Sequence, residues 1–293
     1  MDHDIWTVLE CATRIAVRRL PRPRRRFVFS DRQILLMWLW AAMHERPMCW
    51  ACVREHCRGM FRPRRLPSVS QFCKRLTTDR FELAQRILHE VLTERGHDDL
   101  LHYLDGKPLL INGYSTDPDA ANGIAHGRYA FGYKLHARTT RSGFFHEYKV
   151  LALNEGEPNT ARELIRRLGA GAIVLADANY DSAPLYADID ATGSRLLTRL
   201  KGQHMRKPGS KRKLPKGRTE AIELWEKAPD LAEEAMKERD TIERTFAHLG
   251  GFGGGLGPLP PWVRRLSRVT RWVDAKIAIY HARLIAKACR AAA

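Results

Sequence analysis

The spacing of apolar residues changes near residue 100, and this change limits the possible folds more than any other feature of the sequence. Before residue 100, apolar residues recur at helical intervals. Ser30 and Ser68 each stand three residues before a glutamine, as in a capping box that opens a helix. We expect an apolar helix over residues 34–44 and a second helix that continues to about residue 92. The first hundred residues therefore predict an all-helical region.

Beyond residue 100, short apolar runs alternate with helical segments. Residues 140–143 predict the turn of a hairpin, while residues 112–127 are rich in Gly, Asp and Pro and are not counted as a strand. The order is three strands, helix, strand, helix, strand, which predicts an α/β fold with a mixed sheet flanked by helices. The strands are expected at 101–105, 133–139, 144–153, 172–176 and 195–200, and the helices at 160–168 and 182–191.

The sequence is strongly basic, with 50 Lys and Arg residues against 33 Asp and Glu residues and a net charge of +17. A surplus of this size attracts polyanions, so the expected partner is nucleic acid or an anionic membrane surface. No apolar segment reaches the roughly 18 residues that a membrane helix needs, and no secretory signal is visible. The six cysteines are too few for a disulfide scaffold and suit a reducing cytosol. We therefore expect a cytoplasmic protein that does not span a membrane.

Much of the positive charge is clustered in segments that are candidates for phosphate contacts. Residues 58–65 hold four arginines, and residues 201–218 hold eight Lys or Arg residues with no carboxylate, which predicts a mobile loop. A helical region over 261–293 also has one cationic face. Each run taken alone is as typical of a solvated face. The candidate DNA contacts of the N-terminal arm and the loop are Arg22, Arg24, Arg25, Arg26, Lys207, Lys211, Arg212, Lys213 and Lys216.

Two acidic residues, Asp105 and Asp177, directly follow apolar runs that should be buried strands. Carboxylates at neighbouring strand ends repel one another, and a divalent cation would neutralise them. Glu243, on a helix expected over residues 233–249, is the natural third ligand of a hard-oxygen site for Mg²⁺ or Mn²⁺. Taken singly, each Asp is more typical of a strand-end turn or a helix cap. The three acids together in a basic chain favour the metal site.

These acids stand in three motifs that follow one another in a recognisable order. The motifs are Asp105-Gly106, Asp-x-x-Tyr-Asp-Ser beginning at Asp177, and Arg-x-x-x-Glu-Arg-x-Phe beginning at Arg239. The segments at 132–136 and 255–264 agree with the same pattern. In this order and spacing, the chain resembles the insertion-sequence DDE transposases of the YREK signature group over roughly residues 28–288.

The resemblance implies an RNase H-like core in which Asp105, Asp177 and Glu243 are catalytic and bind two Mg²⁺ or Mn²⁺ ions. One ion would activate water for in-line attack on a phosphodiester, and the second would stabilise the leaving 3′ oxygen. Arg239 and Arg244 would contact DNA near the transposon end.

The sequence departs from the signature at two positions. Met236 and Gly250 stand where the family has a Tyr and a Lys. Lys237 or His248 could substitute for the missing side chains. The departures concern the phosphate contacts that the family's Tyr and Lys make. The three acids of the metal site are all present.

The resemblance further implies a DNA transposase that binds the inverted-repeat ends of its insertion sequence and catalyses hydrolysis and strand transfer. An RNase H-like nuclease and a catalytically silent, domesticated DNA-binding protein are the alternatives. Joining two ends of double-stranded DNA to one target needs two active sites, so we expect a homodimer on DNA, associated with a bacterial nucleoid. The expected domains are a basic helix and arm (1–27), a helical DNA-binding or dimerisation domain (28–98), a catalytic domain (99–255) that contains the basic loop, and basic C-terminal helices (256–293).

Two further features have both a functional and a structural interpretation. Cys49, Cys52, His56 and Cys57 are spaced like a zinc cluster, but structural zinc usually draws its ligand pairs from separate elements, which favours buried cysteines. Trp225 follows the basic loop and could stack on a flipped base, although a packing role is more typical.

Overall fold

The computed structural model describes residues 2–23, 27–57, 61–94, 100–111, 116–201 and 214–292. The chain divides into two compact units. The helical unit comprises residues 1–96 and 248–293, and the sheet unit comprises residues 97–247. Seven of the predicted DNA contacts lie outside the described residues: Arg24, Arg25, Arg26, Lys207, Lys211, Arg212 and Lys213.

The helical unit is built around one apolar helix. Its helices are α1 (Asp2–Arg19), α2 (Asp31–Met43), α3 (Val69–Leu76), α4 (Asp79–Thr93) and α10 (Leu266–Ala291), with 3-10 turns at Met48–Cys52 and Arg54–His56. Every residue of α2 from Ile34 to Met43 is buried, because this helix is apolar on all sides. The longer helices α1, α4 and α10 pack against one another and against α2.

Side-chain caps determine where the short helices of this unit begin. The Ser68 hydroxyl accepts a hydrogen bond from Gln71 N (3.2 Å), and the Gln71 side chain accepts one from Ser68 N (3.0 Å), which confirms the predicted capping box. At Ser30 only half of the box forms. Ser30 Oγ accepts from Gln33 N (3.2 Å), but the Gln33 side chain donates to the Arg65 carbonyl instead of returning to Ser30.

The prediction of one helix running to residue 92 is wrong, because a second cap interrupts it. The Thr78 hydroxyl accepts a hydrogen bond from Phe81 N (3.3 Å) and opens α4 directly after α3 has ended. Thr in the N-cap position satisfies a backbone donor that a continuing helix would bond to its own carbonyls.

The sheet unit alternates strands and helices after an initial run of strands. Its elements are β1 (Leu101–Leu110), β2 (Ala121–Ala125), β3 (Arg128–Thr140), β4 (Phe145–Ala152), α5 (Glu157–Leu164), β5 (Ile173–Ala176), α6 (Ala183–Ala191), β6 (Arg195–Thr198), α7 (Lys216–Lys227), α8 (Pro229–Lys237) and α9 (Asp240–Gly250), whose last turn enters the helical unit.

The strands form one six-stranded mixed sheet. Five of them follow the order β2-β3-β1-β5-β6, and the sixth, β4, pairs with β3 outside this order. The long strand β3 pairs antiparallel with β1, with β2 and with β4. On the other side of β1, strands β5 and β6 follow in parallel. Parallel neighbours need crossover connections, and α5 and α6 lie in the stretches that supply them. The predicted α/β class, a mixed sheet flanked by helices, is confirmed.

Three local expectations in the sheet unit differ from the structure. Strand β2 lies in the Gly-, Asp- and Pro-rich stretch that was not counted as a strand. The helix expected over 233–249 is two helices, because hydrogen bonds from Thr241 N to Glu238 O and from Ile242 N to Arg239 O form a tight turn between α8 and α9. Residues 216–218, the end of the predicted basic loop, instead form the first turn of α7.

The C-terminal region contains one long helix, α10, where basic helices were expected. Two of its cations, Arg271 and Lys276, are buried, so its surface is less cationic than the sequence suggests. Within the described ranges, no helix combines the length and the apolar character that crossing a membrane requires.

Candidate active site

The pairing of β1 with β5 brings the first two candidate acids together. The parallel register runs from Leu101 opposite Ile173 to Leu104 opposite Ala176. Asp105 and Asp177 are the next residues on the two strands, whose backbones are about 4.8 Å apart at this spacing. Asp105 does not end its strand as expected, because β1 continues to pair with β3 beyond the point where β5 stops. The acids therefore meet where the parallel pairing ends.

Backbone amides hold both carboxylates in place. Asp105 Oδ1 accepts a hydrogen bond from Gly106 N (2.7 Å). Asp177 Oδ1 accepts one from Asn179 N (2.8 Å) and so caps the 3-10 turn Ala178–Tyr180. The structural interpretation of Asp177 as a helix cap is thus correct. It is compatible with a place in the site, because Asp177 also lines the same cavity as Asp105, and its second oxygen, Oδ2, accepts a hydrogen bond from the Asn179 side chain (3.2 Å).

The third acid, Glu243, is linked to Asp105 by an arginine. Arg239 lies 3.6 Å from Asp105 Oδ2 through Nη1 and 2.8 Å from Glu243 Oε1 through Nη2. The Arg239 side chain is 20% exposed and the Glu243 side chain is 60% exposed. Both residues belong to the segment around the start of α9, where Glu243 follows Arg239 by one helical turn. A single guanidinium group therefore contacts two of the three acids.

Asp105, Asp177 and Glu243 line one cavity of about 500 Å³ in the sheet unit. The same cavity is lined by three charged residues that the sequence did not single out: Lys107, Lys134 and Glu157. The alternation of side chains along a strand would have predicted Lys107, because it stands two residues after Asp105 and so lies on the same face of β1. No comparable local signal was available for Lys134 and Glu157, which belong to β3 and α5.

Lys134 and Glu157 form an ion pair, with 2.9 Å between Nζ and Oε1, and both side chains are largely buried. The pair lies over Gly106. A Cβ atom at position 106 would come within 2.8 Å of Lys134 Cδ and 3.4 Å of Glu157 Oε1. The glycine next to Asp105 therefore leaves the space in which this ion pair sits beside the acids.

The electrostatics of the cavity disfavour ionised acids. Burial raises the pKa of Asp105 to about 6, with further contributions from the charges of Asp177 and Glu157, against the opposing effect of Arg239. Burial also raises the pKa of Asp177, and Glu157 acts in the same direction. Burial lowers the pKa of Lys107. The site thus concentrates negative charge that its own cations do not fully offset.

The chemistry of these donors fits a hard divalent cation, since Mg²⁺ and Mn²⁺ prefer carboxylate oxygen. Because burial raises the pKa of Asp105 to about 6, a positive charge added beside this carboxylate would favour its ionised form. In the described part of the chain, no group of three or more His, Cys, Asp or Glu side chains is gathered closely enough to hold a metal ion, so the three acids are not preassembled as a set of ligands. Four carboxylates line the cavity, those of Asp105, Asp177, Glu243 and Glu157, and Arg239 contacts the first and third of them.

The remaining predicted DNA contacts that the structure describes are mostly at the surface. Arg22 is exposed, as is Arg244, whose Nη2 donates to Thr241 Oγ1 (3.0 Å). Lys216 stands at the start of α7, 3.6 Å from Glu220. Met236, one of the two departures from the signature, is 3% exposed and belongs to the core.

Arg218 departs most from the prediction of a solvated basic loop. Its guanidinium donates to both oxygens of Asp181 (3.0 and 3.1 Å), and both side chains are almost wholly buried. Asp181 Oδ2 also accepts from Lys201 N (3.0 Å). One buried carboxylate thus holds residues from both ends of the basic segment.

Trp225 matches its structural interpretation. The cysteine cluster matches only in part, because Cys57 is buried, Cys52 is half-buried and Cys49 is exposed. Cys57 Sγ donates to the Ala51 carbonyl, and burial raises the pKa of Cys52 to about 11. The His56 ring stacks on Trp50, with 4.6 Å between ring centroids. The Trp225 indole donates to the Thr198 carbonyl (2.9 Å), which ties α7 to the end of β6.

Comparison with known proteins assigns residues 98–256 to a family. A solved structure similar to this chain is the cryo-EM structure of a piggyBac transposase synaptic complex with hairpin DNA, with a TM-score of 0.47 and 10% sequence identity over 97% of this chain and 72% of that one. No curated protein matches the sequence. The Transposase DDE domain matches residues 98–256, which is more than half of the chain. The chain therefore belongs to the family of the transposase DDE domain.

Proposed function

We propose that this protein is a DNA transposase of the YREK signature group that binds the inverted-repeat ends of its insertion sequence and catalyses metal-dependent hydrolysis and strand transfer. The observation that carries the proposal is the convergence of Asp105, Asp177 and Glu243 on one cavity within the region that matches the transposase DDE domain. Asp105 and Asp177 lie where the parallel pairing of β1 with β5 ends, and Glu243 is linked to Asp105 through Arg239.

The residues of this cavity would act on a phosphodiester as follows. Asp105, Asp177 and Glu243 would hold two Mg²⁺ or Mn²⁺ ions, which when bound supply the positive charge that activates a hydroxyl nucleophile and stabilises the leaving oxygen. Arg239 would then be released from Glu243 to contact a phosphate oxygen. Backbone bonds from Gly106 and Asn179 keep the two aspartates oriented, so they need little reorganisation.

The test of the metal site is the substitution of each acid by its amide. Asp105→Asn, Asp177→Asn and Glu243→Gln should each reduce Mg²⁺-dependent cleavage by at least about 10³-fold, because each removes a charged donor from the site. The substrates are duplexes tiled across the DNA that flanks the reading frame. Glu226→Gln, on an exposed part of α7, is the matched control and should leave cleavage unchanged.

The outcomes separate the proposed function from its alternatives. Cleavage followed by joining of the cut ends to a second duplex supports a transposase. Cleavage without joining identifies an RNase H-like nuclease. Binding without cleavage by the wild-type protein identifies a catalytically silent DNA-binding protein. If the three amide variants cleave as well as the wild type, the acids are not the catalytic site.

DNA binding by the basic segments is tested separately from chemistry. A neutralised phosphate releases counterions, so the logarithm of affinity falls by about 0.9 for each contact per logarithmic unit of salt. Replacing Lys207, Lys211, Arg212, Lys213 and Lys216 with Gln should make this slope shallower. Lys227→Gln, which removes an exposed cation paired with Glu223, is the control and should leave the slope unchanged. An unchanged slope in the fivefold variant means that this segment does not contact DNA.

Two ends must be cut and joined in a concerted reaction, so the active assembly is proposed to be a homodimer on DNA. Light scattering with and without end DNA measures its mass. A protein that remains monomeric on saturating DNA and still joins both ends in one event contradicts the dimer.

A further inference from the structure

The hairpin formed by β2 and β3 exposes two large apolar side chains next to the candidate active site. Tyr129 is 82% exposed, the highest value of any large apolar residue that the structure describes, and Ile124 is 68% exposed. The two residues lie directly opposite each other in the register of the hairpin. Cross-strand neighbours at such positions have Cβ atoms about 5 Å apart, so the two side chains form one apolar patch.

The tip of this hairpin has a defined shape. Its two turn residues, His126 and Gly127, have φ values of 51° and 73°. Two successive positive φ angles are those of a type I′ turn, which matches the twist of the flanking strands. Few residues other than glycine adopt positive φ, and histidine is one of those that do so more often. From the turn, β3 continues into the centre of the sheet, and the apolar patch is therefore carried on a rigid element.

The hairpin is also part of the wall of the acidic cavity. Ile124 and His126 line the cavity together with Asp105 and Asp177. A phosphodiester that reaches these acids brings its own nucleobases to the rim of the cavity, where the patch stands. The adjacent Arg128 is exposed, and no carboxylate pairs with it in the described ranges, which leaves its charge available to a phosphate. An aromatic face beside a free cation is the combination that binds unstacked nucleic acid bases.

We propose that Tyr129 and Ile124 stack against the nucleobases that flank the cleaved phosphodiester and hold them away from the regular duplex stack. The proposal rests on the proposed function and adds a second contact to it. The acids contact the phosphate, and the hairpin contacts the bases. Stacking of this kind tolerates any base sequence, because every base has an aromatic face. The unstacking bends the strand locally, and this bend lets the phosphodiester reach the recessed acids.

The contact is tested by photocrosslinking. End duplexes carry 5-iodouracil in place of each thymine near the cleaved bond, because this base crosslinks to an aromatic ring stacked on it. The wild-type protein should give a crosslinked tryptic peptide that begins at Tyr129, after cleavage at Arg128. Tyr129→Ala should abolish the crosslink, and Tyr129→Phe should retain it. Leu231→Ala removes a similarly exposed apolar side chain on α8, outside the cavity, and should leave the crosslink unchanged.

A kinetic measurement separates stacking from a structural role. Tyr129→Ala and Ile124→Ala should slow cleavage of fully paired ends by at least about fivefold, as expected for the loss of one stacked base. A mismatch beside the cleaved bond should restore most of this loss, because the base is already unstacked. A merely structural defect would slow both substrates equally, and that result would overturn the inference.

The failure of this inference differs from a failure of the proposed function. If the wild-type protein cleaves its ends without a crosslink to Tyr129, and Tyr129→Ala cleaves at the wild-type rate, the hairpin does not contact bases and the proposed function stands. If Tyr129→Ala lowers the mass of the protein measured by light scattering without DNA and the wild type gives no crosslink, the patch is a protein interface and the inference is wrong. A protein that cleaves none of the ends overturns the proposed function and this inference with it.

Discussion

The two units of the molecule treat buried charge in opposite ways. In the helical unit, the fully buried Lys276 donates to the carbonyls of Ala42 (2.8 Å) and Gly254 (3.0 Å) and lies 3.4 Å from Glu45. In the sheet unit, Asp105 and Asp177 carry the same charge side by side where the pairing of β1 with β5 ends, and both line the cavity. A buried charge whose partners are complete belongs to the structure, whereas buried charges of one sign without complete partners mark a site that awaits a ligand.

The same contrast exists within the sheet unit over a few residues. Asp181 follows Asp177 by four positions, and its carboxylate accepts three hydrogen bonds, two from Arg218 and one from Lys201 N. The two aspartates of one motif thus have different tasks. Asp181 fixes the chain around the turn, and Asp177 turns an oxygen towards the cavity.

The largest effect should come from breaking the complete pair. Arg218→Met leaves Asp181 buried without its cation, and loss of one partner of a buried ion pair costs about 3–5 kcal/mol in the free energy of unfolding. Urea denaturation measures it. The control is Arg199→Met, which breaks an exposed pair with Glu233 and should cost about 1 kcal/mol or less. Equal costs for the two variants would show that Asp181 is not held as tightly as its contacts indicate.

The next effect concerns the buried lysine of the helical unit. Lys276→Met keeps much of the side-chain volume but leaves the carbonyls of Ala42 and Gly254 without a donor, which should cost about 2 kcal/mol. The matched control is Lys287→Met, an exposed residue of α10, which should change stability little. A cost at Lys287 as large as that at Lys276 would contradict the role given to the buried contacts.

The titration of Lys276 predicts in which direction the stability of the protein changes with pH. Burial lowers the pKa of Lys276 from 10.5 to about 8. Between these two values the unfolded chain binds more protons than the folded one, so this residue makes the free energy of unfolding rise as the pH increases from about 8 to 10.5. Other groups titrate in this range. The measurement is therefore the difference in the free energy of unfolding between wild type and Lys276→Met. This difference should widen as the pH rises, and a constant or narrowing difference would contradict the assignment.

Removing charge from the incomplete site should stabilise the protein. The folded-state pKa of Asp105 is about 6 against an ordinary value of 3.8, so its ionisation at neutral pH opposes folding. In the wild type, this contribution is favourable at low pH and is lost as the pH rises through about 6. Asp105→Asn should therefore raise the free energy of unfolding at neutral pH by about 1 kcal/mol.

Added Mg²⁺ should reverse the order of stability of the wild type and Asp105→Asn. A ligand that binds the folded state alone stabilises it, so added Mg²⁺ should raise the thermal midpoint of the wild type more than that of Asp105→Asn. Asp119→Asn, outside the cavity lining, is the control and should respond to Mg²⁺ as the wild type does. If Mg²⁺ shifts the midpoints of wild type and Asp105→Asn equally, Asp105 is not a metal ligand.

The sequence allowed prediction of the acids because their signals are local. Apolar runs that end in Asp105 and Asp177 are visible without knowledge of the fold, and a single motif holds both Arg239 and Glu243. The α/β class followed from the periodicity of the same segments. The sequence did not predict that β1 continues beyond Asp105, because this continuation depends on pairing with β3, about 30 residues further along the chain.

The missed features depend on partners far along the chain. Arg218 stands in a run of cations and carries no local sign that Asp181 lies 37 positions before it. Lys134 and Glu157 meet only because α5 packs on the strand that carries Lys134. Strand β2 escaped prediction because its composition is that of a turn, and its pairing with β3 overrides that local preference.

The smallest effect on stability is expected at Glu243, and this separates chemistry from folding within the same site. The Glu243 side chain is 60% exposed, and among the described residues its close charged contact is with Arg239, which Asp105 also contacts. Glu243→Gln should therefore change the free energy of unfolding by no more than about 0.5 kcal/mol. Its effect on cleavage should nevertheless equal that of Asp105→Asn, because the reaction depends on the donor and folding does not. Denaturation and cleavage are measured on the same preparations. A variant that loses stability in proportion to activity would mean that Glu243 supports the fold around Arg239 and takes no part in the site, whereas full stability with lost cleavage assigns it to the reaction.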